Sequence, residues 1–328
     1  MAVQITIIGL GKIGASLGLA LADQKEKIVR MGHDPEPDIT RRAEKLGAVD
    51  KTHFNLFSAV EKADVVILAL PVDEIRPTLE MIAQDLREDV VVVDMTSVKT
   101  ASTQWAQELL PQKRYFITLT PSLNANYFDQ TEEGIEAAKA DLFKKSVTIL
   151  TSPPNTPTEV IQLGEDLCSL IGTQMMFADP LEADGLAANG DLLPKLMAAS
   201  LVNYTTSQPG WVEARKMTGP AYAQVTNPLR TLDERKEYGQ SILLNQQNAL
   251  RLIDGMISAL YELRQLIAEN KAEEIHKYLE NARNKRDTWW LQRLGNNWET
   301  SESTPELPAS GDRFSRFFLG GLFDRKKK

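Results

Sequence analysis

Gly9-Leu10-Gly11-Lys12-Ile13-Gly14 constrains this chain more than any other feature. The six residues spell G-x-G-x-x-G, and their setting gives the pattern its meaning. Val3–Ile8, rich in β-branched residues, reads as a strand that stops at Gly9. Residues 12–23 carry small and apolar side chains at helical spacing. A strand, a tight glycine turn and a helix start open a βαβ unit that receives a dinucleotide. Gly9 permits the turn, Gly11 lets the backbone approach a pyrophosphate, and Gly14 allows close packing of helix on strand. Leu10, Lys12 and Ile13 complete the cofactor-binding turn, and the helix start offers N–H groups to the anion. A second strand, Lys27–Gly32, leads to Asp34, twenty residues past Gly14. A carboxylate there accepts from the ribose hydroxyls of NAD and repels a 2′-phosphate, so NAD is expected over NADP. Arg41 and Arg42, the cations that would serve NADP, fall in a predicted helix over Ile39–Leu46 and are expected to face solvent. A glycine turn that holds no ligand is the alternative reading.

The same alternation continues to about residue 150. Asp64–Leu70 (DVVILAL) and Asp89–Met95 (DVVVVDM) are nearly continuous apolar runs, as in strands covered on both faces by helices. Tyr115–Leu119 and Ser146–Leu150 read as later strands of the same sheet. The fold class is therefore α/β, a Rossmann-type doubly wound parallel sheet, over residues 1–152. The turn-rich stretch Ser152–Pro157 (SPPNTP) marks the expected boundary and precedes a helix. Asp179-Pro180-Leu181-Glu182 is a helix start, with Asp to cap, Pro in the first turn and Glu at the capping-box position. From there to about Trp290 the pattern is helical, with a break around Ser207–Pro228. Leu243, Ala249, Leu250, Ile253, Ile257, Leu260, Leu263, Leu266 and Ile267 trace one apolar stripe, suited to packing on another helix or on a partner subunit. Residues 153–298 are thus expected to form an all-α domain.

Residues 299–328 read as a polar, Pro-containing linker followed by an aromatic and basic tail. Phe314, Phe317, Phe318 and Phe323 interleaved with Arg313 and Arg316 suggest a membrane-surface or protein contact through residues 312–328. Gly320-Gly321 weakens any helix there.

Composition narrows the classes. A net charge of −8 over 328 residues argues against a nucleic-acid partner, which wants basic stripes. One Cys, Cys168, excludes an internal disulfide, and three scattered His (His33, His53, His276) argue against a zinc site. The opening MAVQITIIGLG has no basic segment or cleavage site before the first strand, so a cytoplasmic setting is expected.

Three blocks, GLGKIGASLGLAL, ADVVILALPVDEI and VVVDMTSVK, together resemble the prephenate/arogenate dehydrogenase family. The D-x-x-S-x-K block, Asp94 to Lys99, and the tract DPLEADGLAANGDLLPKLMAASLVN with Pro194 carry the more specific part. The likeness runs over roughly residues 3–270. It implies a helical dimerisation domain behind the nucleotide domain, hence a homodimer. It implies oxidative decarboxylation of prephenate or arogenate, on the route to tyrosine, with hydride passing to the nicotinamide. Leu70 and Pro71, closing the strand of the second block, join the cofactor-binding candidates.

The resemblance also locates departures. Thr120-Pro121 stands where the family has His-Pro, Leu192 and Lys195 stand by spacing where it has two further His, and Tyr222-Ala223-Gln224 stands for its Phe-Arg-Asp. Ser97 matches a family Ser beside the reacting hydroxyl, although it could instead cap the helix starting near Lys99. Thr120 is a hydrogen-bonding candidate for a substrate oxygen or a plain turn hydroxyl; Asn124 and Asn126 fit a turn. Lys195 is either a base, as in β-hydroxyacid dehydrogenases, or a solvated helix lysine. The Asn that those enzymes place one turn after their Lys is Ala199 here. Arg215, Lys216 and Arg230 are the cations near the missing clamp. Three readings follow: a dehydrogenase of prephenate type with a divergent substrate site, a β-hydroxyacid-dehydrogenase-like enzyme using Lys195, or a nucleotide-binding regulatory protein without turnover.

Overall fold

The computed structural model describes residues 2–130, 132–232 and 237–298. The linker and tail expected over 299–328 lie outside the described residues. Among the described residues, those up to Pro180 joined by 285–298 form one compact unit, and Leu181–Asn284 form a second.

The first unit is built on an eight-stranded sheet. In chain order it comprises β1 (Val3–Ile8), α1 (Lys12–Ala20), β2 (Ile28–His33), α2 (Pro37–Leu46), β3 (Lys51–Thr52), α3 (Leu56–Val60) and β4 (Val65–Leu68). It continues with α4 (Val72–Ile82), β5 (Val91–Asp94), α5 (Lys99–Leu109), β6 (Tyr115–Pro121), β7 (Ser146–Thr151), α6 (Thr158–Ile171) and β8 (Thr173–Phe177). The strand order is β3-β2-β1-β4-β5-β6-β7-β8. The chain winds outward from β1 in one direction and from β4 in the other, so the crossover opens between these two strands. Such a switch point leaves a crevice beyond the carboxyl ends of the strands.

Burial explains the apolar runs. Ile5, Ile7, Val65, Ile67, Val91 and Val93 share one core with Leu17 of α1 and Leu163 and Leu167 of α6. The alternate residues Ile8, Val66, Leu68 and Val92 share another with Ile75, Leu79 and Ile82 of α4. Period-two alternation thus feeds a separate core on each face, which is why no polar face is visible in these strands.

The doubly wound parallel sheet has one antiparallel step, β6 with β7, Leu119 opposite Leu150. One expectation is corrected. The border expected at residue 152 is a turn inside the first unit. Pro153 and Pro154 cannot extend a strand, but α6 then buries Val160, Leu163, Leu167 and Ile171 in the first core, and β8 pairs with β7 from Ser146↔Thr173 onward.

The second unit is helical: α7 (Pro180–Ala187), a π-helical segment (Ala188–Leu192), α8 (Leu193–Thr206), α9 (Trp211–Ala214), α10 (Pro220–Thr226), α11 (Glu237–Leu244), α12 (Gln246–Ala268) and the first part of α13 (Ala272–Gly295). Asn245, between α11 and α12, donates its buried amide to the Asp184 carbonyl of α7 at 2.9 Å. Ala249 is buried, whereas Leu243, Leu250, Ile257, Leu260 and Ile267 of the same stripe remain exposed in the single chain. No described helix is long and apolar enough to cross a membrane.

Candidate functional site

The glycine turn leaves β1 at the switch point. Gly9 has φ +88°, and a Cβ there would lie 2.4 Å from the Ala69 carbonyl oxygen. At Gly14 a Cβ would lie 1.9 Å from the Gly9 oxygen. These two glycines are demanded by the protein itself. Gly11 differs: its backbone is ordinary (φ −70°), and an added Cβ would meet nothing within 4 Å. Neither conformation nor packing calls for glycine there, so the open space fits a ligand that the backbone must approach closely. Gly11 is the N-cap of α1, without a side-chain cap and without an acidic residue in the first turn. The first N–H groups of the helix are therefore left for an anion.

Asp34 braces this turn. One carboxylate oxygen accepts from Leu10 N at 2.9 Å and the other from Glu36 N at 3.0 Å. A carboxylate has about four acceptor positions, so capacity remains for ribose hydroxyls. The Leu10 side chain is fully buried and Ile13 packs on the first core, so both reach the cleft only through their backbone. Lys12 is half-buried. Leu70 supplies a wall, its Cδ2 lying 3.1 Å from where a Gly9 Cβ would stand, and Pro71 is the N-cap of α4. Arg41 and Arg42 are exposed and paired with Asp38 and Glu136. The residues present thus fit a dinucleotide and place carboxylate, not cation, at the ribose end.

Two strands along, β5 and β6 run parallel with Asp94 opposite Thr118. Ser97 and Thr120 lie just beyond this level, at the same carboxyl edge as the glycine turn. Between them sits a buried network. Asp94 and Lys99 are both fully buried, with Nζ 3.5 Å from the carboxylate and 3.3 Å from the Asp94 carbonyl oxygen. Thr96 donates its N–H to one Asp94 oxygen and its hydroxyl to the other, both at 2.8 Å. The Thr120 hydroxyl donates to the Thr96 carbonyl at 3.4 Å. The D-x-x-S-x-K block is therefore a loop stapled by its own ends, with Ser97 exposed at the crest. The capping alternative for Ser97 is not realised, since Val98 is the N-cap of α5 and no side chain caps it. Asn124 accepts from Asn126 N at 3.1 Å, the turn role expected of it.

No described His lies at the carboxyl ends of β5 or β6. His33 ends β2 with its Nδ1 2.9 Å from the His53 carbonyl oxygen, and His276 is exposed on α13. Lys195 belongs to the helical unit. It is ion-paired with Asp191 at 2.8 Å and lies 5.3 Å from the centre of the Tyr238 ring. Both contacts engage the ammonium within its own helical unit. Arg215 donates to the Val212 carbonyl and Lys216 pairs with Glu213.

Sequence reasoning quoted Asp94 and Lys99 as motif ends and gave them no role; a lysine one-hundredth exposed leaves no mark in composition. The partner at i−5 across a turn was the available signal.

A mostly parallel sheet, a switch-point crevice and a glycine cradle at an uncapped helix define the first unit as the dinucleotide-binding domain of a dehydrogenase. The family is given by comparison: the model described as "Prephenate dehydrogenase, nucleotide-binding domain" matches residues 17–177, and "Prephenate dehydrogenase, dimerization domain" matches residues 179–281. This chain belongs to the prephenate dehydrogenase family, and it is an NAD(P)-dependent dehydrogenase of that family with a dimerization domain. Its sequence is 27% identical to prephenate dehydrogenase of Bacillus subtilis over 89% of this chain and 77% of that protein. It is 26% identical to cyclohexadienyl dehydrogenase of Zymomonas mobilis over 86% of this chain and 94% of that one. In fold it is similar to prephenate dehydrogenase of Aquifex aeolicus in complex with hydroxyphenyl propionate and NAD+, with a TM-score of 0.78 at 24% identity over 88% and 98% of the two chains. The family border at 177–179 coincides with the end of β8.

Proposed function

We propose that this chain oxidises and decarboxylates prephenate or arogenate with NAD, using a substrate site in which hydroxyl side chains stand where the family's imidazole does. The observation that carries this reading is the convergence on one sheet edge of the Gly11 cradle with Ser97 and Thr120. When bound, the nicotinamide accepts a hydride. The protein's residues bind, orient and shield. The α1 N-terminus holds the pyrophosphate and Asp34 the ribose. Thr120 commits its proton to the Thr96 carbonyl, so its lone pairs are presented as acceptors to a substrate hydroxyl. Ser97 offers both a donor and an acceptor. Neither hydroxyl is a competent base near neutral pH, where imidazole would be. Turnover is therefore expected to be slow, with loss of carbon dioxide and aromatisation supplying the drive. A homodimer through the exposed face of α11 and α12 and a cytoplasmic setting complete the reading; the dimerization-domain match supports the former.

The test is reduction of NAD+ by purified protein with prephenate, then arogenate, beside calorimetric titration of NAD and NADP. Turnover with NAD preferred is the expected result. Tight NAD binding with no turnover on either substrate overturns the assignment and favours a different substrate or a regulatory role.

A further inference from the structure

Strand β6 ends at Thr120-Pro121, and the chain then crosses to β7 through a segment with little regular structure. Thr120 is aimed only as well as that segment is held. Several groups tie it down: Ser122 N to the Val147 carbonyl at 2.8 Å, Asn124 N to Leu142 at 2.7 Å, and the Tyr127 hydroxyl to Asp141. One tie comes from far away in sequence. Arg293, near the end of α13 and in the same compact unit, donates to the Leu123 carbonyl and, at 3.3 Å, to the Lys145 carbonyl. It bridges the chain leaving β6 and the chain entering β7, at the one antiparallel step of the sheet.

Arg293 is 4% exposed. Its guanidinium centre lies 5.2 Å from the Phe128 ring and 5.8 Å from the Trp298 ring. Trp290 adds a ring contact to Phe128 at 6.0 Å. Burial pushes the Arg293 pKa down, and among the described residues no carboxylate opposes that effect. A desolvated cation without a counter-ion is costly. Generic fastening of a helix end would be met by an apolar residue. What a planar fork adds is two donors at fixed spacing for two carbonyls.

We propose that Arg293 is a positioning residue for the substrate half of the reaction, holding the segment after β6 so that Thr120 stays aimed. This rests on the reading of the β6 end as the substrate side. The cofactor half is built from β1, β2 and β4, whereas the Arg293 hydrogen bonds go to the chain beside β6 and β7.

The experiment compares wild type with Arg293→Ala and Arg293→Lys in three readouts: calorimetric NAD affinity, kcat/KM with prephenate and arogenate, and amide hydrogen exchange. For Arg293→Ala, NAD affinity stays within roughly two-fold while kcat/KM falls by about 10- to 100-fold, the scale of a 1 Å misplacement. Exchange speeds up over residues 122–130 and not over 3–14, and added methylguanidinium restores part of the rate. Arg293→Lys keeps the charge without the fork and falls between; it carries the test if the Ala variant does not fold. Unchanged exchange over 122–130 overturns the proposal. So does a kcat/KM within roughly two-fold of wild type beside a lowered Tm, the signature of a purely structural arginine. If wild type turns over neither substrate, the proposed function fails on its own, and exchange alone then decides whether Arg293 holds the segment.

Discussion

Replacing the glycines of the turn one at a time separates what the protein needs from what the cofactor needs. In Gly11→Ala the new Cβ meets no protein atom within 4 Å, and φ of −70° suits alanine. Stiffening the unfolded chain contributes about 0.4–1 kcal/mol of stability. Ala at an N-cap costs about as much relative to Gly. The two nearly cancel, so Tm should move by no more than about 3 °C. Binding is another matter. The methyl group enters the space the pyrophosphate would use and pushes it off the α1 N–H groups. Losing one or two charge-assisted hydrogen bonds costs about 2–5 kcal/mol, or roughly 30- to 5,000-fold in Kd. Gly14→Ala behaves differently. Its Cβ would lie 1.9 Å from a backbone oxygen, which no side-chain rotation relieves. Overpacking of this kind costs about 1–3 kcal/mol, and Tm should drop by several degrees along with affinity. Calorimetric titration of NAD and differential scanning calorimetry on the same samples give both axes. If Gly11→Ala destabilises as much as Gly14→Ala, or binds NAD within roughly three-fold of wild type, the cradle argument is wrong.

The other expectations concern the network and the charges. Lys99→Met leaves Asp94 buried without its cation, and urea unfolding should show a loss of about 3–5 kcal/mol; converting Asp94 to Asn in the same chain should return part of it, and no recovery would mean the pair is not what the lysine serves. Thr120→His places an imidazole at the β6 edge and should raise kcat/KM for prephenate by about 10²–10⁴-fold, with the gain appearing above about pH 6.5 where the ring is neutral; an unchanged rate would sink the view that a missing base limits turnover. Burial alone would raise the Asp50 pKa, but its hydrogen bonds and ion pair with Arg30 outweigh this and hold it below the usual value. Its contribution to stability is therefore present above about pH 3.9 and is lost as pH falls through the lower folded value; Asp50→Asn should flatten that part of the Tm profile, and an unaltered acid limb would show the pair contributes nothing there.

Sequence disclosed this protein where the backbone makes a local demand. Gly9 must adopt positive φ, Gly14 must clear a carbonyl, and Asp34 must follow a strand at a set distance; each leaves a residue type at a fixed offset. The doubly wound sheet was readable because strands covered on both faces carry unbroken apolar runs. Where one face is open, the signal fades: β8, Thr173–Phe177, sits at the sheet edge with Met176 and Phe177 exposed, and its sequence does not alternate as a half-buried strand should. The misplaced border has a related cause. Pro153-Pro154 announces a turn, and a turn within a domain looks the same in sequence as one between domains. The Asp191–Lys195 pair was within reach, since residues four apart share a helix face. Asp94 and Lys99 were less so, because charged residues are ordinarily exposed and only contacts distinguish the buried one. Arg293 lay furthest from view. Its partners are 170 and 148 residues away, and nothing local separates a helix-end arginine in solvent from one clasping two carbonyls. The legible part of the site is thus the cofactor half, made from short-range turns. The proposed substrate half rests on long-range contacts such as those of Arg293, which leave no residue type at a fixed local offset.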